Sequence, residues 1–194
     1  NDVNSYEATL SLIDPPNYES KDSYSFVLTV TDGTNSTDQA ISVSVTNLND
    51  NAPSITSSAT FAVDENQTAI GTVTATDGDG DTLTYSISGS DIAIDSSSGV
   101  LTFASSPDYE TTSSYAATVS VTDDTNSVTQ EITVSINDLN DNTPSITSDS
   151  SFTVDENDTF IGTVTATDAD GDTLTYSISG SDIAIDSSPC APFR

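Results

Sequence analysis

One block of sequence occurs twice in this chain. Residues 53–97 return with few changes as residues 144–188, at a constant offset of 91 positions. A period of this length is the size of one small β domain, so it takes precedence over any local pattern. Two shorter motifs repeat at the same offset: Pro16–Glu19 matches Pro107–Glu110, and Asn47–Asn51 matches Asp138–Asn142. The chain is therefore a window on a tandem array.

The period divides the chain into three parts. Residues 1–52 are predicted to be the C-terminal part of one repeat, and residues 53–142 a complete repeat. Residues 143–194 are predicted to be the N-terminal part of a third repeat. From residue 189 onward the third part no longer matches the second, so it ends in a non-matching tail.

Apolar and polar residues alternate along the complete repeat, as they do in β-strands with one buried face. Turn-forming Gly, Asp and Ser residues separate the alternating runs. Seven strands in a domain of about 90 residues are typical of a Greek-key β-sandwich. We therefore predict an all-β protein of tandem seven-stranded sandwiches joined end to end. The predicted strands are Thr60–Asp64, Gly71–Thr76, Thr82–Ile87, Asp91–Ile94, Val100–Phe103, Ser114–Thr122 and Val128–Ile136.

The charge balance excludes several function classes. The chain has 31 acidic residues, two basic residues and no histidine, for a formal net charge of −29. Such a chain repels nucleic acid and anionic lipid. With one cysteine and no histidine, nucleophilic triads are excluded and zinc and copper are disfavoured, so we predict no enzyme. Apolar runs of membrane-spanning length are absent, so this segment is not expected to insert in a membrane.

Strand parity predicts where the acidic loops lie. If the first strand runs from top to bottom, the loops after odd strands lie at the bottom and those after even strands at the top. Because seven is odd, the bottom of one repeat faces the top of the next. The acids that should meet between repeats two and three are Glu65, Asp108, Glu110, Asp138, Asp141, Asp168 and Asp170.

Such a junction needs a cation. Two unit charges about 4 Å apart repel by roughly 4 kcal/mol at an effective dielectric constant near 20. Ca²⁺ accepts six to eight oxygen ligands, whereas Mg²⁺ prefers to keep its waters, so the residues favour calcium. Two alternatives are an EF-hand loop beginning at Asp77 and a set of solvated turn residues. Position twelve of that loop is Ser88 instead of glutamate, and strands flank it.

The acidic motifs resemble those of tandem cadherin repeats, of the cadherin-like kind found in large bacterial surface proteins. They comprise a glutamate after strand one, Asp-x-Asp after strand two, Asp-x-Glu before strand six, Asp after strand six and an Asp-x-Asn-Asp-Asn linker. The resemblance implies Ca²⁺ between successive repeats. The ligands that it implies at the first junction are Asn17, Glu19, Asn47, Asn49, Asp50, Asn51, Asp77, Asp79 and Asp123. Those that it implies at the second are Glu65, Asp108, Glu110, Asp138, Asn140, Asp141, Asn142, Asp168 and Asp170.

The first junction departs from this pattern. Asn17 stands where the motif has Asp, and Asn47 replaces the first Asp of the linker. Because calcium affinity follows the charge of the ligands, we expect the first junction to bind calcium more weakly than the second in the intact array.

These features predict a calcium-stiffened rod at the cell surface, with adhesion to other copies of the repeat or to a surface protein or glycan. The chain has no tryptophan, so adhesion by the exchange of tryptophan between vertebrate cadherins is not expected. The alternative function is a carbohydrate-binding module, which exposed aromatic platforms would support. Tyr85 and Phe103 occupy alternating strand positions, which favours a place in the core.

Overall fold

The computed structural model describes residues 5–180 and 182–186, and the regular secondary structure in these ranges consists of β-strands. The non-matching tail from residue 189 lies outside the described residues. No helix in the described ranges is long and apolar enough to cross a membrane. The strands are β1 (Ser23–Thr31), β2 (Ser36–Ser44), β3 (Ser54–Ile55), β4 (Thr60–Asp64), β5 (Ala69–Thr72), β6 (Ala75–Thr76), β7 (Thr84–Ser88), β8 (Ile92–Ile94), β9 (Val100–Phe103), β10 (Ser114–Thr122), β11 (Ser127–Asn137), β12 (Ser145–Ile146) and β13 (Ala166–Thr167).

Residues 53–142, which were predicted to form repeat two, contain two main sheets. One has the strand order β4-β11-β10-β7, and the other has the order β5-β9-β8. The chain changes sheet between β7 and β8 and again between β9 and β10, as it does in a Greek-key sandwich. β11 pairs antiparallel with β10 but parallel with β4, from Thr133 opposite Thr60 to Asn137 opposite Asp64. The all-β sandwich predicted from the sequence is confirmed.

The core of the sandwich follows from the alternation of apolar residues. Val119 and Val121 on β10, together with Val134 on β11, are fully buried, and Leu101 on β9 closes the core from the opposite sheet. Burial of apolar surface contributes about 25 cal/mol per Å² removed from water. The core therefore holds the two sheets together and fixes the loops at the ends of the strands.

The core also contains the aromatic residues. Tyr85 and Phe103 are buried, as their alternating positions indicated, so neither forms an exposed platform. Tyr115 could be either a tyrosine corner or a core tyrosine from its sequence position. Its ring packs edge-on against Phe103, with the ring centroids 4.9 Å apart.

The predicted second strand, Gly71–Thr76, is wrong as one continuous element. The structure divides it into β5, which pairs with β9, and β6, which pairs with β3. The break lies at Val73, whose backbone N–H donates to Gly99, and Thr74, whose carbonyl accepts the N–H of Thr56. Here the chain leaves one sheet partner for another, and β3 is a short strand that the alternation did not predict.

The two partial repeats have fewer strands than predicted. At the 91-residue offset, the strand pattern of repeat two predicts strands five to seven in repeat one and strands one to four in repeat three. Of these, the described residues form the β1–β2 hairpin in repeat one and β13, the counterpart of β6, in repeat three. β13 pairs with β12, which is the counterpart of the unpredicted β3. In the described part of the chain, the other predicted strands of repeat three lack the partners that pair with their counterparts in repeat two, where β11 pairs with β4, β10 with β7, and β9 with both β5 and β8. Val121 is 0% exposed, whereas its counterpart Val30 in repeat one is 65% exposed.

Leu101→Ala should destabilise repeat two by about 2–5 kcal/mol, because it leaves a cavity at a fully buried position. The neighbouring Val100 is 41% exposed, so Val100→Ala should cost less than about 1 kcal/mol. Urea unfolding followed through the NMR signals of β10 and β11 would measure both changes. Equal losses for the two variants would contradict this description of the core.

Candidate metal centre at the repeat junctions

The first junction is built around Asp79, in the loop that follows β6. The linker residue Asn51 donates two hydrogen bonds to its carboxylate, from the backbone N (2.8 Å) and from Nδ2 (2.7 Å). The backbone N of Asp50 donates a third, of 3.0 Å. These bonds hold the linker between repeats one and two against the top of repeat two.

Carboxylates from three segments converge on this point. Oxygens of Glu19 from repeat one, Asp50 from the linker and Asp79 from repeat two lie within 4.8 Å of one another. The same distance limit encloses Asp79 with its loop neighbours Asp77 and Asp81. Asp79 therefore belongs to both groups and lies at the centre of the junction.

One oxygen in this loop lacks the partner that a buried polar atom requires. Oδ1 of Asp77 accepts the backbone N–H of Asp79 at 2.9 Å. Oδ2 of Asp77 is buried and accepts no hydrogen bond. A divalent cation would satisfy this oxygen, and a donor set made of carboxylates suits a hard cation such as Ca²⁺.

The second junction repeats the geometry. Asn142 donates to the carboxylate of Asp170 from its backbone N (2.9 Å) and from Nδ2 (2.7 Å), as Asn51 does to Asp79. The three groups of carboxylates within 4.8 Å here are Glu65, Glu110 and Asp138; Glu110, Asp141 and Asp170; and Asp168, Asp170 and Asp172. Glu110 and Asp170 each belong to two groups, so the clusters form one continuous anionic seam.

Glu65 is the anchor of this seam. It follows β4 directly and is 1% exposed. Its two carboxylate oxygens accept the backbone N–H groups of Tyr109 (2.9 Å) and Leu139 (2.8 Å). A single buried carboxylate thus ties together the end of β4, the loop before β10 and the start of the second linker.

The proximity of these acids changes their ionisation. Loss of hydration, followed by the charges of Asp170 and Glu65, raises the pKa of Asp138. The backbone N–H of Glu110 lowers the pKa of that residue, but loss of hydration and the charges of Glu65 and Asp170 outweigh it and raise the pKa overall. For Asp170 the hydrogen bond from the Asn142 side chain dominates and lowers the pKa.

The remaining predicted ligands lie around these clusters in different ways. Asn47 donates to the carbonyl of Asp79 (2.9 Å), and Asn49 donates to the carbonyl of Asp123 (3.2 Å). Asn140 lines a shallow pocket together with Asp168.

Three predicted ligands are engaged in turns. Asn17 Oδ1 accepts the N–H of Ser20, and Asp108 Oδ1 accepts that of Thr111. Asp123 is buried and accepts the N–H groups of Thr125 and Asn126. Neither Asp108 nor Asp123 joins a carboxylate cluster within the described ranges, and their role as ligands stays a prediction.

The structure adds residues that sequence reasoning left out of the site. Asp81 and Asp172 belong to the clusters; both follow the Asp-x-Asp motif, so the extended Asp-x-Asp-x-Asp pattern could have included them. Asn126 donates to the linker residues Asn49 and Asn51 and has no signal of its own in the sequence. The EF-hand alternative fails, because the chain continues from this loop into strand β7.

Comparison with known proteins agrees with this arrangement. The model of the cadherin domain matches residues 59–137. Human Protocadherin Fat 4 is 33% identical over 201 residues, an alignment that covers 91% of this chain. The chain is built from cadherin repeats. The bacterial origin that the resemblance suggested stays a prediction, since the curated relatives matched are human and mouse proteins.

Solved structures give the same fold. A crystal structure of mouse cadherin-23 EC22–24 is 26% identical and matches with a TM-score of 0.62, covering 80% of this chain and 56% of that one. The protocadherin gammaB7 EC3–6 cis-dimer, at 24% identity, has a TM-score of 0.65 and covers 79% and 44%. The chain spans 4% of the length of the curated relatives that it matches.

The raised pKa of Asp138 predicts that Asp138→Asn stabilises the calcium-free protein at neutral pH. A folded-state pKa above the unfolded value means that the ionised carboxylate disfavours folding, and protonation relieves that cost. The gain in melting temperature should be largest near pH 7 and should vanish below about pH 4, where the carboxyl is protonated in both states. Thermal unfolding in chelator at several pH values would measure it.

Asp91→Asn is the matched control. It removes the same charge from an exposed position outside the clusters. Both variants should change the net charge equally, but the control should leave the melting temperature nearly unchanged. Equal gains for the two variants would assign the effect to net charge instead of the seam.

Proposed function

We propose that this chain is a segment of an extracellular adhesion rod whose cadherin repeats are locked end to end by Ca²⁺ at their junctions. The observation that carries the proposal is that one carboxylate cluster at each junction combines two successive repeats and the linker between them. Glu19, Asp50 and Asp79 belong to one repeat, the linker and the next repeat. An ion bound by all three would connect two domains that the chain otherwise joins through a short linker.

The proposed ligands are the cluster carboxylates and the polar groups around them. At the first junction we assign Asn17, Glu19, Asn47, Asn49, Asp50, Asn51, Asp77, Asp79 and Asp123 as the ligands, with Asp81 added. At the second we assign Glu65, Glu110, Asp138, Asp141, Asp168 and Asp170 as the central carboxylates, with Asp172 added. When bound, calcium supplies two positive charges and a coordination sphere of oxygens.

The residues of the chain prepare each junction for the ion. Asn51 and Asn142 hold the central aspartates against the linkers, and the buried Glu65 holds the second linker against repeat two. The mutual repulsion of the carboxylates opposes closure of the calcium-free junction. We therefore propose that binding changes a flexible seam into a fixed one, with repeat boundaries near residues 53 and 142.

The partners we propose are other copies of the repeat or another protein of the cell surface. Cadherin domains are found in cell-adhesion proteins, and such proteins act outside the cell. The strongly acidic surface agrees with this environment, because a net charge of −29 disfavours nucleic acid and anionic membranes.

Calcium should raise the melting temperature of the 194-residue chain. Each site saturated at 100 times its dissociation constant adds about 2.7 kcal/mol to the free energy of unfolding. Differential scanning calorimetry in chelator, in millimolar Ca²⁺ and in Mg²⁺ at the same concentration would measure the effect. Relative to chelator, Mg²⁺ should raise the melting temperature less than Ca²⁺ does. A melting temperature that is the same in chelator and in calcium would refute the proposal.

The two junctions should differ in affinity, the first being weaker. Asn17 and Asn47 give the first junction fewer charged ligands than the second. Asp170→Asn should weaken the second junction and leave the first intact. Asp79→Asn should weaken the first junction and leave the second intact. Isothermal titration of both variants with Ca²⁺ should then find the tighter remaining sites in Asp79→Asn, whereas equal or reversed affinities would defeat the ranking.

A further inference from the structure

The same turn occurs in repeats one and two, and in repeat two it contacts the linker that precedes the repeat. In repeat one, Asp32 Oδ1 accepts the N–H groups of Thr34 (2.8 Å) and Asn35 (2.7 Å), and Asn35 Nδ2 donates to Asp32 Oδ2 (3.2 Å). In repeat two, Asp123 Oδ1 accepts the N–H groups of Thr125 (2.7 Å) and Asn126 (2.6 Å), and Asn126 Nδ2 donates to Asp123 Oδ2 (3.3 Å). The local bonds of the two turns are therefore equivalent.

Asn126 makes further bonds to the linker that precedes repeat two. Its Nδ2 also donates to Asn49 Oδ1 (3.1 Å) and to the carbonyl of Asn51 (3.4 Å). Asn49 returns a bond from Nδ2 to the carbonyl of Asp123 (3.2 Å). Asn126 is half-buried beneath the linker, whereas Asn35 is exposed.

These bonds enclose the linker residue that carries a cluster carboxylate. Asn49 and Asn51 flank Asp50, whose carboxylate lies with Glu19 and Asp79. From the other side, the linker is held by bonds to Asp79, which is itself a proposed ligand. Asn126 binds the same linker segment through an uncharged amide that donates hydrogen bonds. This contact therefore forms without a bound ion.

We propose that Asn126 is a positioning residue of the first junction. Its amide fixes residues 49–51 against repeat two and thereby presets Asp50 for the cation. Preorganisation of this kind lowers the cost of ordering on binding. The effect on calcium affinity rests on the proposed function, but the effect on linker order does not.

The test compares Asn126→Ala with the matched control Asn35→Ala in the 194-residue chain. Asn35→Ala removes the same local turn bond without touching the linker. The first readout is the ¹⁵N heteronuclear NOE of the amides of residues 47–51 in chelator. The second is a CaCl₂ titration followed at the amides of Asp50 and Asn51, with those of Asp141 and Asn142 reporting the second junction.

Asn126→Ala should lower the NOE of the linker amides and weaken calcium binding at the first junction by about tenfold, the size of effect typical of groups that orient metal ligands. The second junction should be unchanged, and Asn35→Ala should match the unmodified chain in both readouts. The signals of β10 and β11 would verify that repeat two is folded in each variant.

Two outcomes would overturn the proposal: linker order and affinity unchanged in Asn126→Ala, or an equal loss in both variants, which would reduce Asn126 to a turn-forming residue. Failure of the proposed function looks different. In that case the linker amides of the unmodified chain do not respond to calcium, while the NOE comparison in chelator still decides whether Asn126 holds the linker.

Discussion

Electrostatic repulsion between carboxylates at the seams is the constraint on which this structure depends. The folded sandwiches bring acids from separate segments within 4.8 Å of one another, in a chain that has two basic residues. Asparagine side chains make this closeness tolerable, since an amide donates hydrogen bonds without adding charge. The pair of bonds from Asn142 to Asp170 repeats that from Asn51 to Asp79, so both junctions use the same device.

Much of the sandwich could be predicted because its signals are local. Thr60–Asp64, Val100–Phe103 and Ser114–Thr122 were predicted with the bounds that the structure has. The division of Gly71–Thr76 was not predictable from alternation, because the apolar period runs unbroken through Val73 while the chain changes its pairing partner. Alternation reports which face a side chain occupies and carries no information about the neighbouring strand.

The candidate site was also predictable only in part. Parity and motif spacing indicated most of the acids that the structure clusters, because a carboxylate without a nearby cation is conspicuous in sequence. Asn126 was not predictable, since in sequence it looks like an ordinary turn residue, and the linker residues to which it donates lie 77 and 75 positions away. For Asp108 the motif predicted a calcium ligand, but it gave no indication that the carboxylate accepts a hydrogen bond within a turn.

The parallel pairing of β4 with β11 has a mechanical consequence. These strands lie near the start and the end of repeat two, and five residue pairs join them from Thr60 and Thr133 to Asp64 and Asn137. Tension along an array pulls the N-terminal side of β4 and the C-terminal side of β11 in opposite directions. The hydrogen bonds between them are then loaded together in shear, instead of opening one after another as in an unzipped hairpin. Repeat two is thus built to resist force applied between its two ends.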